Sequence, residues 1–118
     1  METKPIIIEK GQVIIRPTAG NILLTQYQIA DLFGVHVQAV NSNIGLIFKR
    51  GTLHEDEVSC QTKSKGGRIQ ILYNMEMITA LAFRLKSEQA ELFRHWIVRT
   101  ALNSHGIWKI SGMGIMLN

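Results

Sequence analysis

The sequence is short of the residues that build covalent or metal-bound scaffolds. Its single cysteine, Cys60, rules out an internal disulfide and predicts an ordinary buried thiol in a reducing, cytoplasmic setting. His36, His54, His95 and His105 stand at no metal-ligand spacing from one another or from Cys60. No apolar run approaches the ~18 residues of a membrane span, and the polar start Met1–Pro5 followed by Ile6–Ile8 is no secretory leader. Neither internal repeats nor low-complexity tracts occur.

Catalytic constellations are equally scarce. "HEDE" (54–57) concentrates acids, but consecutive carboxylates point in different directions, so a solvated loop is expected rather than a cation site. "GMG" (112–114) lacks both the third glycine and the strand-then-helix setting of a dinucleotide fingerprint. Ser59-Cys60 has no partnered base. The expectation is therefore a non-enzyme with no cofactor and no metal.

What the chain does hold suits one globular domain, 1–118. Apolar residues make up 46% of its 118 positions and charged residues 19%. Net charge is +4, and its placement matters more than its size. Lys49 and Arg50 precede the acidic block, and "KSKGGR" (63–68) follows it with three bases and no acid. Cations in two places flanking the acids fit a polyanionic partner.

Along the chain, "PIIIEKGQVIIRP" (5–17) gives two β-branched runs, 6–9 and 12–16, turning at Lys10-Gly11, an N-terminal β-hairpin. "TAGN" (18–21) reads as a turn and "ILL" (22–24) as a brief third strand or extended lead-in. Thr25 and Gln28 then make a capping box, with Leu24 and Ile29 as a hydrophobic staple, and Gly34 closes the helix they start. A second helix is expected over about 36–43, a further helical piece over 44–50, and a stop at Gly51. "VSCQT" and "RIQILY" flank a Gly-Gly turn, a second hairpin over 58–73. Asn74 caps a helix to about Leu85. Ser87 caps a long one over 88–104, ended by His105-Gly106, so that 87–104 is the C-terminal helical segment.

The spacing within 25–44 is that of a helix-turn-helix. Ala30 is the small residue where two helices cross closely, Gly34 makes the turn four residues later, and Ile29, Phe33, Val35 and Val40 line the corner. The second helix then presents His36, Gln38, Asn41, Ser42 and Gly45 outward. Gln38 and Asn41, three apart, share a face, and side-chain amides pair bidentately with adenine at roughly 1–3 kcal/mol of discrimination. Val37 would touch a thymine methyl. Residues 35–45 contain no Lys or Arg, so the phosphate backbone must be held from elsewhere. The basic hairpin acts as a wing with Lys63, Lys65 and Arg68, supplemented by Lys49 and Arg50.

Three stretches in order, "LLTQYQIADLFGV" (23–35), "YNMEMITALAFRL" (73–85) and "SEQAELFRHWIVRTAL" (87–102), resemble the RhuM-type virulence family. These are bacterial proteins of mobile elements and genomic islands associated with DNA binding. The combination of Tyr73-Asn74, Arg84, Ser87, Phe93-Arg94 and Trp96 is its more specific part. The resemblance covers about 80 residues, 22 to 102. It implies a helix-turn-helix at 25–44 followed by a hairpin, and brings no catalytic residues. His36 stands where the family usually has Ser, the hairpin is shorter and basic, and family members usually continue well beyond the long helix.

Together these readings predict an α+β fold, a winged helix-turn-helix-like single domain with an N-terminal β-hairpin and a long C-terminal helix. Its expected partner is double-stranded DNA, bound as a homodimer through Phe93, Trp96 and Val98, in a regulatory or accessory role. The alternative is a protein-interaction module, an antirepressor or adaptor on the same scaffold. It draws on the neutral second helix.

Overall fold

A computed structural model describes residues 4–16 and 22–103. The turn expected at 18–21, the helix stop at 105–106 and the GMG segment lie outside the described residues. The order is β1 (Ile6–Glu9), β2 (Gln12–Ile15), α1 (Gln26–Phe33), α2 (Val37–Lys49), α3 (Glu55–Val58), β3 (Ser59–Lys63), β4 (Ile69–Tyr73), α4 (Met75–Ala82) and α5 (Glu88–Leu102). The fold is α+β, with two small antiparallel sheets and five helices among the described residues.

Local chemistry accounts for the boundaries. β1 and β2 pair Glu9 with Gln12 across a two-residue loop, where Lys10 (φ 52°) and Gly11 (φ 74°) both take positive φ. That is a type I′ turn, whose twist matches the strands it joins. In α1, Thr25 Oγ1 accepts from the Gln28 amide at 3.2 Å and Gln28 Oε1 accepts from the Thr25 amide at 2.8 Å, the complete capping box. Gly34 sits at φ 65°, and the Val35 N–H reaches back to the Ala30 carbonyl at 3.0 Å, closing a Schellman turn. Asn74 and Ser87 cap α4 and α5 by accepting from Met77 N–H and Ala90 N–H.

Several expectations change. The helical stretches 36–43 and 44–50 are one continuous helix, α2. Val40, Ile44 and Ile47 keep a buried line at four- and three-residue spacing, and one interior glycine costs only about 1 kcal/mol. The acids of "HEDE" form the first turn of α3 instead of a loop, where carboxylates favour the positive end of the helix. α4 stops at Ala82, three residues early, and α5 ends at Leu102 with Asn103 as its cap. Of the two alternatives for residues 22–24, the extended lead-in is the one found, with a single bridge pairing Leu24 and Tyr73. Cys60 is exposed on β3, not buried.

One core joins all parts. Leu24, Ile29, Phe33, Val40, Ile44, Ile47, Met77, Ile78, Leu81 and Phe93 are buried together, with Ile6 bringing in the N-terminal hairpin. Phe33 of α1 meets Phe93 of α5 edge-on, ring centroids 5.5 Å apart at 77°. The N-terminal hairpin packs on α1 and α5, whereas β3–β4 is anchored at its inner end. There Leu24 and Tyr73 exchange backbone bonds of 3.0 and 2.7 Å. Its tip projects. Among the described residues no helix is long and apolar enough to cross a membrane.

Candidate nucleic-acid interface

α2 is amphipathic in a simple way. Its buried line fixes the opposite one, and Gln38, Ser42, Gly45 and Lys49, at spacings of four, three and four, run down the outer side, all exposed. His36 and Asn41 are exposed as well, whereas Val37 is half-buried against the core. His36 is the N-cap but makes no side-chain cap bond.

The roll of α2 about its axis is held from the far side. Asn43 Oδ1 accepts from Arg84 Nε at 2.9 Å, and Asn43 Nδ2 donates to the Ala39 carbonyl at 2.8 Å. Arg94 Nη1 donates to the carbonyls of Ala82 and Leu85 at 2.8 and 3.1 Å, satisfying the frayed end of α4. Arg84, Ser87, Phe93 and Arg94, prominent in the family resemblance, therefore hold a structural corner. Ser87 takes the capping role its sequence position predicts, whereas the roles of Arg84 and Arg94 carried no sequence signal.

Strand alternation orients the hairpin. Register pairs Ser59 with Tyr73, Gln61 with Ile71 and Lys63 with Ile69. Lys63, Ile69 and Ile71 therefore share the sheet face of the buried Tyr73. Burial raises the Tyr73 phenol above its ordinary 10.0, with Glu55 adding to the rise. The same face borders a groove of about 260 Å³ whose walls include Tyr27, Asn41, Ile69, Gln70 and Ile71. Asn41 of α2 and the outer half of β4 are thus opposite sides of one groove.

Lys65 and Arg68 lie in the turn beyond it, which Ser64 and Arg68 close with a 2.8 Å backbone bond and Gly67 permits at φ 85°. Lys49, Arg50, Lys63, Lys65 and Arg68 are all exposed, and among the described residues none pairs with a carboxylate. The hairpin is cationic at its tip and acidic at its base, where Glu55, Asp56 and Glu57 of α3 precede β3.

The expected dimer contact needs one correction. Phe93 is fully buried between Phe33 and Trp96, so it serves the core of its own chain. Trp96 is half-buried against that core and only Val98, 47% exposed, faces outward. Among the described residues no group of three His, Cys, Asp or Glu side chains is placed to hold a metal ion.

Comparison of the chain with protein-family models, curated proteins and solved structures finds no match.

Proposed function

We propose that the chain is a DNA-binding protein of winged helix-turn-helix type, regulatory or accessory, of the kind carried by bacterial mobile elements and genomic islands. The observation that supports this reading is that Asn41 of α2 and Ile69–Ile71 of the hairpin line one groove, with Lys63 paired opposite Ile69 in the hairpin register. In this reading Gln38, Asn41 and Ser42, with His36 at the helix start, meet base edges in the major groove. Lys49, Arg50, Lys63, Lys65 and Arg68 meet phosphates. Val37, half-buried, contributes at most its outer methyl. One module neutralises few phosphates, so binding as a homodimer through the outer side of α5 at Val98 is part of the proposal.

A salt titration of duplex binding tests the reading. Lys63→Ala with Lys65→Ala weakens binding on every sequence and flattens the slope of log affinity against log salt by up to about two units. Unchanged retention on DNA removes the hairpin from the interface.

A second reading, a protein-interaction module, draws support from the lack of any cation between residues 35 and 45. A pull-down at low salt that recovers a repressor and no DNA selects it.

A further inference from the structure

The N-terminal hairpin, remote from α2 and β4 in sequence, leaves one strand edge open. Arg16 N–H donates to the Pro5 carbonyl at 2.9 Å, and the register continues with Ile7 opposite Ile14 and Glu9 opposite Gln12. Bonded and non-bonded pairs alternate along an antiparallel ladder. Those three pairs are therefore the bonded ones, and the N–H and C=O of Ile6 and Ile8 point to the other edge of β1. Among the described residues these backbone groups meet no partner. Ile6 is buried, and backbone polar groups on buried residues are normally paired.

A groove of about 700 Å³ runs along that edge. Consecutive residues of β1, from Ile6 to Glu9, line it, and no residue of β2 does. A channel on one face of a strand would be lined by alternate residues, so this one follows the backbone edge. Its opposite wall is α1, through Tyr27, Gln28, Asp31 and Leu32, which share one side of the helix. Lys4 pairs with Asp31 at 3.4 Å at the start of β1, and Glu9 stands at its end. At strand rise the length from Lys4 to Glu9 is about 17 Å.

Backbone donors and acceptors set out at strand spacing are complementary to one kind of occupant, another extended chain. A helix has spent its own backbone groups, and a second copy would bring α1 along the same edge it offered. Charge adds a preference. Lys4 is engaged by Asp31, whereas Glu9 is exposed and pairs with no cation among the described residues. We propose that the groove takes an extended segment of a partner protein as a third strand beside β1. Its backbone bonds Ile6 and Ile8, alternate apolar side chains face the α1 wall at Leu32, and a lysine or arginine meets Glu9. This docking surface shares no charged residue with the proposed DNA interface, so the two readings stand or fall separately.

The outward amides give the test its readout. Amide spectra of the ¹⁵N-labelled full chain are followed while a capped hexapeptide of alternating valine and threonine, with one terminal arginine, is added to about 1 mM. The Ile6 and Ile8 amides are expected to shift in a saturable way and to exchange at least about tenfold more slowly, and a peptide with a central proline has no such effect. Ile8→Pro removes one outward donor while leaving the bonded pairs with β2 intact, and is expected to lose about tenfold in affinity. Thermal melts verify its fold. Glu9→Gln, at an exposed position, weakens the arginine peptide about two- to fivefold and leaves an uncharged analogue unaffected. No saturable response at Ile6 and Ile8, or parent-like binding by a folded Ile8→Pro, overturns the proposal. So does slow exchange of both amides in the chain alone: loss of that protection on dilution assigns the edge to a second copy, and its persistence assigns it to this chain.

Discussion

Arg84 Nε donates to Asn43 Oδ1 at 2.9 Å, latching the inner flank of α2 to the end of α4 while Asn41, two residues away, faces the hairpin groove. The two asparagines should part company on substitution. Asn43→Ala strands part of the Arg84 guanidinium and is expected to cost about 1–3 kcal/mol in denaturant unfolding. Asn41→Ala, exposed and with no side-chain hydrogen bond among the described residues to lose, stays within about 0.5 kcal/mol of the parent yet weakens DNA binding. Equal effects of the two on stability contradict the latch.

Gly34 meets two constraints of unequal weight. At φ 65° an L side chain costs roughly 1–2 kcal/mol, and a Cβ there would also lie 2.8 Å from Gln89 Nε2. The Gln89 amide is the far end of a flexible side chain and can swing aside, so the backbone term dominates. Gly34→Ala is expected to lose about 1–2 kcal/mol, and adding Gln89→Ala recovers only a small part. Full rescue by Gln89→Ala in a double-mutant cycle would show that contact, not conformation, selects glycine.

Gly45 has no such excuse. It lies in the interior of α2 on the outer line, its φ is helical, and an added Cβ meets nothing within 4 Å. Gly45→Ala is expected to raise stability by about 0.5–1 kcal/mol while weakening duplex binding, because a partner approaching the α2 backbone would meet the new methyl. A stabilised variant that binds DNA as well as the parent places the closest approach elsewhere.

Tyr73 gives the alkaline limb of stability. Its phenol is held above 10.0 by burial and by Glu55, so the unfolded chain ionises first as pH rises. The stabilising contribution is complete below the unfolded value and is lost as pH climbs through the folded one. Above pH 10 the parent should lose stability more steeply than Tyr73→Phe, read as the difference between their melting temperatures across pH. Parallel limbs contradict it.

The sequence was most legible where local chemistry is decisive. The capping box at Thr25 and Gln28, the Gly34 stop, the Asn74 and Ser87 caps and both hairpins follow from side-chain-to-backbone geometry within a few residues. What stayed hidden depends on the third dimension. Arg84 and Arg94 look like two more surface cations until α4 is seen ending beside α2 and α5, where their donors meet Asn43 and two bare carbonyls. Phe93 and Val98 read alike on a helical stripe, and only the angle of α5 against Phe33 separates core from surface. Ile69 and Tyr27 carried no signal, because an exposed isoleucine and an exposed tyrosine are ordinary residues until they line one groove.

Selection from a random duplex library at low and moderate salt, run in parallel with the parent chain and with Gln38→Ala/Asn41→Ala, tests the proposed base reading most directly. The account predicts a defined motif enriched by the parent at both salts and lost in the double variant, which keeps only uniform, salt-sensitive retention. Enrichment of the same motif by both proteins, or of none by the parent, contradicts it.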